Sequence, residues 1–225
     1  MDRRIVVSGL LAAGGFAFSD AFAGINLGDA QAQAGLRDML NKGADSSTAR
    51  LGKPDGYWGD DVVRIPLPKS LATAGKLAKV VGQSGMFDDL HLRINRGAEA
   101  AAPLAKDLFH DAIKTMTITD AAGIVRGGPT SGTQYLQDKT TPRLTTAFTP
   151  IVENTLQSTG AVEYLDRLVR RNKLDSVVKG DAKTWLGKYT VGLALNGLFH
   201  YIGVEETSIR RSPAKNLTGL LKIFG

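Results

Sequence analysis

The sequence of 225 residues contains no cysteine, and this absence excludes several ways of holding the protein together or in place. No disulfide can support the fold, so its stability must come from packing. Since no cysteine follows the N-terminal leader, we expect no lipoprotein anchor. A chain without thiols also suits an oxidising compartment, where unpaired cysteines are a liability.

Metal-binding and catalytic patterns are missing too. The three histidines, His91, His110 and His200, lie far apart and show none of the close spacings typical of zinc sites. There is no Gly-x-Ser-x-Gly elbow and no paired-carboxylate motif. We therefore expect no metal, no cofactor and no enzymatic activity. A zinc site assembled from distant segments, or an enzyme with a cleft built in the same way, stays open as an alternative.

Long apolar runs are missing beyond residue 23, so we expect no membrane span and no transmembrane anchor there. Before that point, Met1 to Arg4 is basic, Ile5 to Phe18 is apolar, and Ala21-Phe22-Ala23 supplies the small residues that signal peptidase reads. The apolar stretch is shorter than the roughly 20 residues that cross a bilayer. We predict that residues 1–23 are a signal peptide cleaved near Ala23 and that residues 24–225 are a soluble periplasmic domain.

The export route has two alternatives. Arg3-Arg4, followed by a Gly/Ala-rich run, resembles a twin-arginine signal, which exports proteins that are already folded. A general secretory (Sec) leader that happens to contain two arginines fits as well. The routes differ in where a ligand is acquired, since only a protein folded before export can load one in the cytoplasm.

Positive charge is in excess but is not concentrated. The net charge is +6, and lysine and arginine alternate with acidic residues along the chain. After the leader, the tight basic pairs are Arg170-Arg171 and Arg210-Arg211, with no aromatic ladder beside them. This distribution argues against a nucleic-acid surface. It is typical of a solvated surface, with weak attraction to anionic headgroups or acidic envelope polymers as the alternative.

Helical periodicity runs through most of the chain and predicts an all-α fold, a single multi-helical bundle-like domain. An extended arm rich in proline and glycine interrupts it near residues 52–68. Thr141-Pro142 is read as a helix start, and Pro150 should kink the helix that follows. The predicted helices are Leu27–Lys42, Ser70–Val81, Asp88–Ala101, Leu104–Met116, a short one from Thr119, Ser131–Lys139, Thr141–Gln157, Ala161–Arg171, Tyr189–Val204 and Ser212–Phe224.

Three local features refine this pattern. Gly43 suits the position just after the end of the first helix. Tyr189–Val204 is apolar nearly all round and is expected to be the central helix. Beyond it, Glu206 and Arg210 have the i,i+4 spacing of an ion pair.

Many short blocks of the mature chain resemble the bacterial domain of unknown function (DUF) 4197 family, in the same order and from roughly Gly35 to the C-terminus. The resemblance implies an exported helical protein of Gram-negative bacteria and brings no activity with it. The chain departs from the family pattern at Gly132, where alanine is usual, and at Asn196, where an acidic residue is usual. The blocks are Leu51–Gly56, Ile65–Pro68, Asn95–Ala100, Asp107–Lys114, Thr133–Tyr135, Phe148–Val152, Ile209–Pro213 and Leu220–Phe224.

Asn196 and His200 are the sharpest candidates for a site, because i,i+4 spacing places both on one face of the apolar helix, near Tyr201. One interpretation is an internal hydrogen-bond network that fixes the register of the helix. The other is a set of polar contacts that orients an otherwise apolar ligand. Tyr135 and Phe148, from the blocks shared with the family, complete the predicted ligand set.

The predicted function is therefore the binding or carrying of an apolar small molecule, such as a lipid or a sterol-like compound, between helices. The alternative is a non-catalytic interaction protein for envelope assembly. In that case Tyr57 and Trp58 of the aromatic loop would dock an envelope protein, because exposed aromatic side chains commonly mark interfaces.

Overall fold

A computed structural model describes residues 30–80, 85–158, 160–172, 178 and 181–211, and this part of the chain is all-α. The signal peptide predicted over residues 1–23 and the helix predicted over Ser212–Phe224 lie outside the described residues. A short 3₁₀ turn, Ala102–Leu104, joins α3 to α4. The α-helices are α1 (Ala30–Leu51), α2 (Lys69–Val80), α3 (Gly85–Ala101), α4 (Ala105–Lys114), α5 (Ile118–Arg126), α6 (Ser131–Ser158), α7 (Ala161–Asn172) and α8 (Ala182–Arg211).

The 30-residue helix α8 is the centre of the bundle and packs against α1, α3, α6 and α7. Its buried side chains, among them Leu186, Leu198 and Ile209, extend along nearly its whole length. Between α1 and α8, the buried Ser47 donates its hydroxyl to the carbonyl of Leu198 at 2.8 Å. The expectation of a central apolar helix is confirmed. None of the described helices is long and apolar enough to cross a membrane.

Helix α1 does not end at Gly43, as predicted, but continues to Leu51. The reason is tertiary. A β-carbon at Gly43 would lie 3.5 Å from Ile202 Cγ2 and 3.6 Å from the Ile202 carbonyl oxygen, so the glycine lies where α1 and α8 meet closely. The residue that resembles a helix terminator therefore lies inside α1, at its contact with α8.

Helix α6 is one continuous helix where two were predicted, with Pro142 and Pro150 inside it. Leu136, Leu144 and Phe148 are fully buried, so one apolar stripe continues past Pro142 and holds both halves against the core. Each proline deprives a carbonyl four residues earlier of its N–H partner. Those carbonyls belong to the exposed residues Asp138 and Thr146, where water can replace the lost donor.

Two other local patterns agree with the sequence. Thr117 caps α5, and the capping box is completed by Asp120, which accepts from the Thr117 backbone N–H at 3.0 Å. On α7, Leu165, Leu168 and Val169 are buried, as the amphipathic pattern predicts. Both features depend on neighbours within one helical turn.

Candidate functional site

A groove of about 850 Å³ runs along the C-terminal half of α8, beside the start of α6. Helix α8 contributes a stripe of side chains spaced three or four residues apart, and residues at and just before the α6 N-terminus form the opposite wall. Two of the residues predicted from the sequence, Asn196 and His200, belong to this stripe. The lining residues are Thr130, Thr133, Gln137, Asn196, Phe199, His200, Gly203, Val204, Thr207, Ser208 and Arg211.

Asn196 and His200 also line a second, smaller depression of about 330 Å³ between α8 and the arm, which the arm borders from Val62 to Pro66. The pair therefore lies where the two depressions adjoin. Both side chains are exposed. An internal network that fixes helix register, one of the two interpretations of this pair, is thus wrong, since neither side chain is buried.

Apolar residues form part of the groove lining. Gly203 has no side chain to separate the helices, and a β-carbon there would lie 3.4 Å from Thr130 Cγ2 and 3.6 Å from Thr133 Oγ1. Phe199 is 6% exposed and packs edge-on against Phe109 of α4, with ring centroids 5.7 Å apart. Val204, which is 47% exposed, adds an accessible apolar surface.

Hydroxyl, amide and imidazole side chains form the rest of the lining, together with Arg211. Among the described residues that line the groove, none is acidic. A lining of this charge favours a neutral or anionic group on the ligand. A mixture of apolar and polar side chains suits an amphipathic molecule.

Behind the groove, a buried carboxylate from α8 caps the N-terminus of α6. Glu206 is 2% exposed and accepts hydrogen bonds from the backbone N–H groups of Gly132 (2.8 Å) and Thr133 (2.7 Å). Arg210 donates to the same carboxylate from Nε at 3.0 Å and Nη2 at 2.8 Å, and also to the carbonyl of Ile124 and the hydroxyl of Ser131. The predicted Glu206–Arg210 ion pair is confirmed.

This network bears on the start of α6, which follows the glycine-rich segment 127–130. Helix N-termini attract anions, but two amides of this one already bind a carboxylate from the protein itself. Gly132 gives that carboxylate room, because an added β-carbon would lie 3.0 Å from Glu206 Oε1 and 2.5 Å from Leu40 Cδ2. The N-terminus of α6 is therefore capped by Glu206 of the protein itself.

The other three residues of the predicted ligand set do not line the groove. Phe148 is fully buried in the core, and the Tyr135 hydroxyl donates toward α4, to the carbonyl of Ala112 at 3.3 Å. The Tyr201 hydroxyl donates to Asp60 of the arm. Of the predicted ligand set, only Asn196 and His200 line this groove, while the other three side chains have partners elsewhere in the fold.

The aromatic loop docks on the protein's own core. Tyr57 is fully buried, its hydroxyl donates to the carbonyl of Ala194 at 2.6 Å, and burial raises its pKa. Trp58 is half-buried, with its ring edge-on to His91 at 4.9 Å. Burial of Tyr57 removes the main support for a docking surface formed by these two aromatic residues.

Side chains of α3 that the sequence did not single out hold this arm. Glu99 accepts from the backbone N–H groups of Tyr57 (3.2 Å) and Trp58 (3.1 Å). Asn95, which is fully buried, accepts from the N–H of Ile65 at 2.9 Å and donates to its carbonyl at 3.0 Å. The sequence feature that could have identified them is a pair of polar residues, Asn95 and Glu99, four positions apart within the amphipathic helix α3.

A tyrosine and an arginine secure the arm from its other side. Asp60 accepts from Tyr201 and from Arg50 Nη2, the latter at 3.0 Å, while the Arg50 guanidinium lies 4.1 Å from the centre of the Tyr201 ring. The hydrogen bond from Tyr201, together with those from Arg50 and the Val62 N–H, lowers the pKa of Asp60. The arm is thus tied to α1, α3 and α8.

Within the described residues, no three histidine or acidic side chains come together as a candidate metal site. No curated protein and no solved structure matches the chain. A family model described as protein of unknown function (DUF4197) matches residues 26–225, a span that contains every element described above. The chain therefore belongs to the DUF4197 family.

Proposed function

We propose that the protein is an exported, periplasmic binding protein that holds an amphipathic small molecule in the groove beside α8. The observation that supports this is a groove lining that combines apolar residues with hydroxyl, amide and imidazole side chains. Phe199 and Val204 offer apolar contacts, while Asn196 and His200 offer hydrogen bonds along the same face. The volume of about 850 Å³ falls in the range of about 300–1,000 Å³ common for small-molecule sites.

The chemistry of the lining refines the ligand expected from the sequence. A purely apolar sterol-like molecule would leave the hydroxyl and amide groups of the lining without partners. A molecule with an apolar part and a neutral or anionic polar head matches both kinds of side chain. A fatty acid or a lipid with a small head has this character.

Binding without catalysis is part of the proposal. Among the described residues that line the groove there is one imidazole, and no carboxylate to orient it or to share a proton with it. An envelope interaction protein remains the second candidate class. Its aromatic loop, however, is occupied by contacts with α3 and α8.

The test begins with protein purified from its own periplasm. Native mass spectrometry and organic extraction should identify one bound amphipathic species. Val204→Trp places a large ring in the groove at an exposed position, so we expect it to remove that species and to weaken binding of a fluorescent fatty acid at least tenfold. Lys188→Trp, at another exposed position of α8 outside the groove lining, should leave both unchanged.

A separate test addresses the polar side chains that are proposed to orient the ligand. Asn196→Ala and His200→Ala should each weaken binding of the fluorescent fatty acid by about three- to tenfold, the range for loss of one hydrogen bond. Empty protein by both mass spectrometry and extraction would contradict the proposal. Unchanged binding by the Val204→Trp variant would show that the ligand binds at a site other than the groove.

A further inference from the structure

Helix α2 (Lys69–Val80) packs on the bundle by one face and presents an unusual outward face. Its inner face contains Leu71, which is fully buried, and Gly75, where a β-carbon would lie 3.1 Å from Phe87 of α3. On the opposite face, Leu77 and Val80 are 69% and 85% exposed. They are three residues apart and so are neighbours on the helix surface.

Two lysines, Lys76 and Lys79, lie beside these exposed apolar side chains, and Lys69 lies at the other end of the same helix. Lys69, Lys76 and Lys79 are all exposed, and α2 contains no acidic residue. No described carboxylate forms an ion pair with any of the three. The outward face of α2 is therefore both cationic and apolar.

We propose that this face binds the surface of an anionic lipid bilayer. The lysines would lie among the headgroups, with Leu77 and Val80 inserted at the boundary with the acyl chains, as in interfacial amphipathic helices. Charge complementarity selects the occupant, since each lysine near an anionic surface strengthens binding roughly fivefold. The net charge of +6 attracts the whole molecule toward the same surface.

A protein partner fits this face less well. Stable protein interfaces bury about 800 Å² on each partner around a well-packed apolar centre. Leu77 and Val80 alone provide a small apolar centre, and long lysine side chains are depleted in such interfaces. The inference does not depend on the groove, because α2 contributes none of the groove's lining residues.

The experiment measures vesicle binding by the chain from Gly24 onward, which contains every described residue. Vesicles of phosphatidylcholine with about one-third phosphatidylglycerol should bind it, and binding should weaken at about 0.5 M salt, where charges are screened within a few ångströms. Vesicles of phosphatidylcholine alone should bind it far less. Lys76→Gln combined with Lys79→Gln should weaken binding to the anionic vesicles roughly twenty-five-fold, from two lysines at about fivefold each.

Two matched controls separate this face from a general charge effect. Lys114→Gln combined with Lys188→Gln removes the same charge from exposed sites on α4 and α8 and should change binding less than threefold. Leu77→Asn should weaken binding severalfold, whereas Ile118→Asn, at a 58% exposed site on α5, should not. All these positions are exposed, so circular dichroism should show unchanged folding.

Three results would overturn the inference. The first is wild-type protein that does not bind the anionic vesicles. The second is an equal loss in both double-lysine variants, which would indicate diffuse attraction. The third is unchanged binding by the Leu77→Asn variant, because the apolar part of the face would then take no part and an acidic protein partner would fit better.

Discussion

Thr133 donates both its backbone N–H and its hydroxyl to the same carboxylate oxygen of Glu206, each at 2.7 Å. Thr133 also lines the groove, so the buried network behind the wall positions the wall itself. Glu206 also accepts from the Gly132 N–H, and Arg210 donates to the Ile124 carbonyl of α5 and to the Ser131 hydroxyl at the start of α6. Stability and groove shape therefore depend on the same side chains.

Loss of the Glu206 charge should be strongly destabilising. Glu206→Gln leaves Arg210 buried without its charge partner, and breaking a buried pair from one side costs about 3–5 kcal/mol. Urea unfolding should show this decrease in the free energy of unfolding. The control is Asp111→Asn, which breaks the exposed pair with Arg143 and should cost less than about 1 kcal/mol. A Glu206→Gln variant as stable as the control would contradict the role assigned to the cap.

Gly132→Ala and Gly192→Ala should have effects of opposite sign. Both glycines lie in helices, but a β-carbon at position 132 meets Leu40 at 2.5 Å and Glu206 at 3.0 Å, while position 192 is open. We expect a loss of about 1–3 kcal/mol at position 132 from overpacking. At position 192 we expect a gain of up to about 1 kcal/mol from helix propensity. Thermal unfolding of the two variants tests this, and stabilisation by Gly132→Ala would show that the cap relaxes freely.

The contribution of Asp60 to stability should depend on pH. Its folded-state pKa is lowered, chiefly by the hydrogen bond from Tyr201, below an unfolded value of about 3.9. A lowered pKa gives stabilisation that is fully present above the unfolded value and is lost as the pH falls through the folded value. Asp60→Asn should therefore reduce the free energy of unfolding at pH 7 by about 1–2 kcal/mol, with the difference shrinking as the pH falls below the unfolded pKa and through the lower folded pKa.

Asp61 provides the neighbouring control for this pH dependence. Its side chain is 88% exposed and pairs with Arg64, so Asp61→Asn should change stability little at either pH. Chemical unfolding at several pH values distinguishes the two variants. A pH-independent difference between wild type and Asp60→Asn would show that the carboxylate acts by packing and not by charge.

Export should produce a mature protein that begins at Gly24. Mass spectrometry of the periplasmic protein checks the N-terminus, and Ala23→Trp, which places a bulky side chain where signal peptidase reads a small one, should leave the precursor uncut. Replacing Arg3 and Arg4 by lysine separates the two routes: loss of export indicates the twin-arginine route, and unchanged export the general secretory route. Retention of the intact chain in the cytoplasm would contradict the predicted signal peptide.

Local sequence patterns predicted those features that depend on neighbours within one helical turn. The buried face of α7, the short helix α5, the Glu206–Arg210 spacing and the non-helical arm all follow from such patterns. The sequence predicted only some of the residues that line the groove. Asn196 and His200 do line it, but Tyr135, Phe148 and Tyr201 have other partners, because nothing in a one-dimensional pattern shows which helices lie beside each face of α8.

By itself, the amino-acid sequence determined an all-α protein with an apolar central helix. The reason is that helical periodicity is local, since residues three or four apart lie on the same face of a helix. Only the tertiary structure decided how Gly43, Pro142 and Glu206 are used. Gly43 lies inside a helix at its contact with α8, Pro142 is held inside a helix by buried side chains on both sides of it, and Glu206 accepts from Thr133 of the α6 N-terminus, 73 residues earlier in the chain. The physical reason is that each outcome depends on which distant surface fills the space beside the residue, and packing of the whole core settles that choice.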